Sequence, residues 1–188
     1  MPDLSQTCIK TERLWLVPAA QKFAKDIFRE FTDEITRYMI PSPNENIDQA
    51  KYFVSLCEKA NKMGSDFETA IILPSEASSE SADPLEHKGE FIGCAGAHNL
   101  GSTTPELGIW IKKDAQGHKY GREAIHALYN WVISNYSCQY VKYPVEMNNI
   151  PSRLIAESLG GIICDIKPVT AENGRQLTAC DYHIFPKR

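Results

Sequence analysis

The chain lacks several things at once. No apolar run comes near the roughly 20 residues that a membrane-spanning helix needs, and Met1-Pro2-Asp3-Leu4-Ser5-Gln6 has no basic stretch leading into an apolar one, so no secretory leader is expected. The six cysteines (Cys8, Cys57, Cys94, Cys138, Cys164, Cys180) are scattered, without the short repeated spacing of a disulfide framework or a structural zinc site. They are expected to be reduced thiols in a cytoplasmic protein, with no bound metal. Positive charge is not in excess. The net charge of -4 argues against a general nucleic-acid or anionic-membrane surface. There is no internal repeat. There is also no GxxxxGK[ST] and no GxGxxG, because Arg122 and Glu123 follow Gly121 and the Gly117–Gly121 spacing does not fit a dinucleotide loop. Nucleotide hydrolysis is thereby disfavoured, since no phosphate-gripping lysine and no acidic metal pair are evident.

What is present is an ordinary globular composition, 43% apolar and 23% charged over 188 residues, enough for one domain spanning residues 1–188. Ile9–Val17 reads as a first strand ending at Pro18. Phe23, Ile27, Phe28 and Phe31 recur at helical spacing in Gln21–Phe31. Tyr38–Asn46, with Pro41 and Pro43, reads as a loop. A second helix starts at Asn46 with Gln49 completing a capping box, and Gly64 ends it. Phe67–Leu73 is a short strand. Pro74–Gly89, poor in large apolar side chains, is expected to be a mobile loop. Strands Glu90–Leu100 and Thr104–Lys113 flank a Gly101-Ser102 turn. A long helix, His118–Asn135, should bury Gly121, Ala124, Ile125, Leu128, Trp131 and Val132. Gln139–Glu146 is β-rich, Pro151–Leu159 is a short helix before Gly160-Gly161, and Ile162–Val169 with Leu177–Phe185 forms a hairpin turning at Glu172-Asn173-Gly174. Several strands are joined directly while others alternate with helices, so an α+β fold with a mixed sheet is expected.

The most informative stretch is Glu106-Leu107-Gly108-Ile109-Trp110-Ile111 followed by Gln116-Gly117-His118-Lys119-Tyr120-Gly121-Arg122, a strand and a glycine-containing loop opening into the long helix. The first four N–H groups of a helix have no partner within it, and together with the helix dipole they attract anions. A loop of this kind can hold a pyrophosphate with few positive side chains. Two glycines easing a strand-to-helix turn would explain the same residues.

Three blocks resemble the GNAT acyltransferase superfamily. Gln116-x-x-Lys119-x-Gly121 is similar to its [QR]-x-x-G-x-[GA] motif, with Lys119 where the family has glycine. Asn149-x-x-Ser152-x-x-Ile155-x-Glu157-x-Leu159-Gly160-Gly161 is similar to its later N-x-x-S-x-x-x-x-E-x-L-G-F element. Thr11-Glu12-Arg13-Leu14-x-Leu16 looks like the opening of the branch that acetylates ribosomal-protein N-termini at alanine or serine. The resemblance implies an α/β/α sandwich around a mostly antiparallel sheet with a V-shaped splay. It also implies acetyl-CoA as co-substrate, bound without metal by Ile109, Trp110, Ile111, Gln116, Gly117, His118, Lys119, Tyr120, Gly121 and Arg122, with Asn149 at the pantetheine arm and Ser152 near the sulfur. Read alone, Asn149 is a helix N-cap and Ser152 a first-turn residue. Thr11-Glu12-Arg13 reads as structural, pairing charges at a strand start.

Acyl transfer to an amine needs a neutral nucleophile. A lysine amine, with a pKa of roughly 10.4, is almost wholly charged at neutral pH, whereas an α-amine at roughly 7.7–8.0 is about a tenth neutral. Glu106 is the first candidate for general base, acting through water, and alternation puts it on one face with Gly108 and Trp110. His98, ending the neighbouring strand, is the second. His118 suits an anion better than a proton, and His87, His126 and His183 show no partner pattern. The tyrosine that many members use as general acid is replaced by Ala156. Ser152 is the candidate to assist the thiolate. The acceptor is expected to be a primary amine, on a protein N-terminus or a small molecule such as a polyamine, amino sugar or antibiotic. Its pocket is expected to be built from the early helices, the Tyr38–Asn46 loop and the terminal hairpin. The chain is expected to act as a monomer or homodimer. The competing expectation is a non-catalytic acyl-CoA-binding module, which thiol release with an amine would exclude.

Overall fold

The computed structural model describes residues 1–75, 84–85 and 89–186. Eight strands form one sheet: β1 (Ile9–Lys10), β2 (Trp15–Pro18), β3 (Phe67–Pro74), β4 (Gly89–His98), β5 (Glu106–Ile111), β6 (Val141–Glu146), β7 (Ile162–Thr170) and β8 (Gln176–Ile184). Their spatial order is β1-β2-β3-β4-β5-β6-β8-β7, and every neighbouring pair is antiparallel except β5–β6. The helices are α1 (Ala24–Glu30), α2 (Asp33–Thr36), α3 (Ile47–Met63), α4 (Tyr120–Asn135) and α5 (Ile150–Ser158).

Helices cover both faces. On one, Ala124, Ile125 and Leu128 of α4 and Ala156 of α5 pack with Phe67, Ile71, Leu107 and Tyr143. On the other, Phe23, Ala24 and Ile27 near α1 and Val54 of α3 pack with Trp15, Val17, Ala70 and Phe91. This is the expected α/β/α sandwich. The alternation of strand side chains divides the two cores: Leu107 and Ile109 face α4, and Trp110 faces α1. Among the described residues no helix is long and apolar enough to cross a membrane, no cluster of metal-ligating side chains occurs, and all six cysteines are free.

The structure revises several boundaries. The first strand is two short strands, paired Ile9↔Leu16 and Lys10↔Trp15 around a tight turn in which Thr11 N–H donates to Leu14 O at 2.8 Å. The first helix begins as a 3-10 turn, Gln21–Phe23, and α2 follows it in a stretch, residues 32–37, for which no element was expected. The long helix starts at Tyr120 rather than His118, because Lys119 is left-handed. Asn46 caps α3 by accepting from Asp48 and Gln49 N–H at 3.1 and 3.0 Å, while Gln49 Oε1 reaches one residue further back, to Glu45 N–H, at 2.8 Å. Of the Pro74–Gly89 loop, the two end residues pair with each other as the last rung between β3 and β4; residues 76–83 and 86–88 lie outside the described residues, His87 among them.

The one parallel pair, β5–β6, breaks the continuity of the sheet. Their parallel pairing has a single rung, Glu106↔Lys142. It is closed by Lys142 N–H donating to Pro105 O at 2.8 Å and Gln139 N–H to Thr103 O at 2.7 Å. Beyond Glu106 the strands diverge, and the sheet opens beside the rest of β5.

Candidate active site

The opening exposes one edge of β5. Lys112 N–H donates to Ile92 O at 2.8 Å, so by the alternation of an antiparallel ladder the even residues 106–112 bond to β4; Leu107 turns to the β6 rung, and Ile109 and Ile111 turn their main-chain groups to the gap. The Gln116 side-chain amide donates to Ile111 O at 3.0 Å, tying the loop to the strand end. Trp110, grouped by sequence with Ile109 and Ile111, is not brought to the gap. Its ring lies between Phe31 and Phe91, at centroid distances of 5.1 and 5.8 Å.

After Ile111 the chain makes a 3-10 turn, Lys113–Ala115, and then the loop. Gly117 takes φ +83° and Lys119 φ +64°. Two left-handed residues so close together coil the main chain at the head of α4. The first amide of this helix to close onto its own backbone is Glu123, to Lys119 O at 3.1 Å, and no side chain caps the helix. Among the described residues, the N–H groups of Gly117 through Arg122 have no hydrogen-bond partner, while Gln116 N–H is taken by Lys113 O. Gly117, His118, Lys119 and Arg122 are exposed and Tyr120 and Gly121 half-buried. A Cβ on Gly121 would lie 3.5 Å from Ile111 and Ile155 and 3.8 Å from Ile109, so strand, helix and α5 converge there. The His118 ring stacks on Tyr120 at 5.4 Å.

This loop is held from outside. Glu123, in the first turn of α4, accepts from Thr11 Oγ1 (2.5 Å), Arg13 N–H (2.8 Å) and Arg13 Nε (2.7 Å). Arg13 also donates to His118 O at 3.1 Å and lies over the Tyr120 ring at 4.7 Å. Burial alone would raise the Glu123 carboxyl, but these donors outweigh it and hold it below its ordinary value. The charge pairing expected at Thr11-Glu12-Arg13 is therefore with Glu123, across 110 residues.

At the far side of the gap, Asn149 caps α5, its side chain accepting from Ser152 N–H at 3.4 Å. Its amide nitrogen has no partner among the described residues. The Ser152 hydroxyl is 2.9 Å from that of Tyr143 on β6. Burial pushes Tyr143 up to about 12, against the opposing pull of the Ser152 hydrogen bond. Tyr143 belongs to none of the three sequence blocks, and the helix position where many members carry a tyrosine is Ala156, which is fully buried.

Glu106 and His98 sit together at the joined end of the splay, directly paired across β4 and β5. His98 Nδ1 is 2.8 Å from Glu68 Oε1 and 3.9 Å from Asp66 Oδ1. Burial lowers the His98 pKa, but the Glu68 hydrogen bond and the charges of Glu68, Asp66 and Glu106 outweigh it, so the imidazole is raised above its ordinary value. Two other histidines do have partners. His126 Nε2 meets Ser158 Oγ at 2.7 Å, and His183 stacks on Tyr140 at 3.9 Å. Each partner is remote in sequence or on another strand, so spacing could not reveal it.

A sheet opened beside a coiled, amide-lined helix start defines a coenzyme-dependent acyl-transfer fold. Residues 13–162 match the family described as acetyltransferase (GNAT) domain. The chain belongs to that family of acetyltransferases, whose co-substrate is acetyl-CoA. Similar solved structures include the microcin C7 self-immunity acetyltransferase MccE in complex with acetyl-CoA and AMP (16% identity, 98% of this chain and 99% of that one, TM-score 0.78). Another is a GNAT-family acetyltransferase from Bacillus anthracis (18%, 95% and 98%, TM-score 0.75). A third is RimL, a ribosomal L7/L12 α-N-protein acetyltransferase (10%, 95% and 94%, TM-score 0.74). At these identities the likeness is one of fold. No curated protein matches the chain significantly.

Proposed function

We propose that the chain transfers the acetyl group of acetyl-CoA to a primary amine by direct attack in a ternary complex, with a protein N-terminal α-amine as the favoured acceptor. The observation that carries this reading is the run of unpartnered main-chain N–H groups from Gly117 to Arg122, at the head of α4 and beside the open edge of β5. Six unpartnered donors and a helix dipole suit a diphosphate, and Lys119 and Arg122 add positive charge. The thioester would lie along Ile109 and Ile111, where a gap-facing N–H polarises its carbonyl.

An α-amine asks least of the base, since about a tenth is already neutral at pH 7. RimL, a protein of the same fold, is named for that chemistry. The acceptor would enter between the early helices, the Tyr38–Asn46 loop and the terminal hairpin, and contacts among these support that reading. The tip of the β7–β8 hairpin reaches the early helices, with Arg175 donating to Thr36 O at 2.8 Å, Glu172 N–H to Ile40 O at 3.0 Å and Ser42 N–H to Glu172 Oε2 at 2.9 Å. Glu106 and His98 stand where the amine's proton must go. On the leaving-group side, Tyr143 at about 12 keeps its proton. It can donate to Ser152 Oγ and leave the serine hydroxyl proton free to meet the departing sulfur. This hydroxyl pair stands in for the tyrosine that Ala156 replaces.

The test is coenzyme A thiol release from acetyl-CoA with a panel of N-terminal peptides, polyamines, amino sugars and antibiotics. The reading expects turnover, fastest with α-amines. A chain that binds acetyl-CoA and releases no thiol with any amine contradicts it.

A further inference from the structure

Glu68 was not singled out by sequence, and the structure gives it an arranged place. Its main chain is pinned by Asn61 of α3, fully buried, which accepts from Glu68 N–H at 2.7 Å and donates to Glu68 O at 2.9 Å. Its carboxylate then runs across β4 to His98 Nδ1 at 2.8 Å. The crossing passes over Gly96, where a Cβ would stand 2.6 Å from Glu68 Oε2 and 2.9 Å from His98 Cε1, so the contact requires a residue without a side chain there. Gly96 pairs with Gly108 on β5, and the other imidazole nitrogen, Nε2, lies 3.5 Å from where a Gly108 Cβ would be. Two facing glycines thus leave a bare patch under Nε2, next to Ile109 at the splay.

A carboxylate can only accept a hydrogen bond, so Nδ1 carries the proton in the neutral ring and Nε2 holds the lone pair. We propose that His98, fixed in this tautomer by Glu68 as a positioning residue, is the group that takes the proton from the attacking amine. The inference rests on the acetyltransferase reading and decides between its two candidate bases. In the step, the amine nitrogen bonds the acetyl carbon and gives its proton to His98 Nε2. The C–S bond breaks with its electron pair going to sulfur, and the thiolate is protonated from solvent through Ser152. The imidazolium faces Glu68 of β3, Asp66 just before that strand, and Glu106 of β5. Glu106 serves by charge rather than by carrying the proton.

The experiment pairs histidine NMR with pH–rate profiles for the wild type, Glu68→Gln and His98→Gln, after calorimetry has shown that the variants keep acetyl-CoA affinity within several-fold. In the wild type, the His98 resonances should report protonated Nδ1 and a titration above the ordinary value of about 6.5, and kcat/KM should rise with the same titration. Glu68→Gln should move both to lower pH together. His98→Gln should lower kcat by about 100-fold or more and abolish that limb. An acid limb that survives His98→Gln, or that stays put when Glu68→Gln moves the NMR titration, overturns the assignment. A wild type with no thiol release at any pH sinks the acetyl-transfer reading itself, and the dyad's catalytic role with it.

Discussion

At position 119 a lysine takes a backbone shape that glycine adopts freely. Its φ of +64° is the left-handed region, which costs a side-chain-bearing residue about 1–2 kcal/mol. Where the resembled motif has glycine, Lys119 thus holds a conformation open to glycine without strain. Lys119→Gly should raise unfolding stability by about 0.5–1 kcal/mol, the strain relieved less the greater freedom of the unfolded chain. Denaturant titration checks this, and acetyl-CoA affinity should stay within several-fold. The Tyr143–Ser152 pair makes a second prediction. Ser152→Ala should lower kcat with little change in acetyl-CoA affinity, and Tyr143→Phe should lower it by a smaller factor, since the serine proton remains. Steady-state kinetics decides, and an unchanged kcat in Ser152→Ala removes it from the leaving-group step. Legibility at this scale followed distance along the chain. Gln116, Gly117, Gly121, Asn149 and Ser152 could be singled out because the motifs they resemble are patterns of local spacing. Tyr143, Glu68 and Asp66 could not, because each acquires its partner only on folding, Tyr143 when α5 packs beside β6 and the two acids when β3 and β4 pair. The Trp110 placement was already implied by the alternation that set it on a face with Glu106 and Gly108.

Among elements, the β1–β2 turn and the first turn of α4 act as one piece. Thr11 and Arg13 supply three donors to Glu123, and Arg13 also reaches His118 O. Removing Arg13 frees the loop at the residues whose amides are to hold an anion. Arg13→Ala should therefore weaken acetyl-CoA binding about tenfold in calorimetry while lowering stability only modestly, because its salt bridge is partly solvent-exposed. The pH dependence follows in sign. The folded Glu123 pKa lies below its unfolded value, so its stabilising contribution is complete above the unfolded carboxylate range. That contribution is lost as pH falls through the folded pKa. Glu123→Gln should flatten part of the acid loss of stability, measured as Tm against pH between about 6 and 3. The element order was readable from periodicity. The boundaries that shifted did so for local reasons: the left-handed Lys119 delays α4, and the Thr11 turn splits the first strand.

Over the whole molecule, the decisive feature is a sheet closed at one point and open beyond it. Backbone bonds at Pro105 and Thr103 hold β5 and β6 together at Glu106. Past that rung the unpaired edge of β5 and the bare head of α4 face the same opening. The two helical layers lie on opposite faces of the sheet, with α4 and α5 on the side of the Gly117–Arg122 loop and α1 and α3 on the side of His98. Composition and alternation indicated a mixed sheet. The splay itself came from resemblance, since no residue pattern announces that two strands will part.

The account stands or falls on the six amides between Gly117 and Arg122. The most direct measurement is a backbone-amide NMR titration with coenzyme A, run beside acetyl-pantetheine, which lacks the diphosphate. Saturable shifts centred on Gly117–Arg122 with coenzyme A, and absent there with acetyl-pantetheine, are the predicted result. Coenzyme A binding that leaves those six resonances unmoved would contradict it.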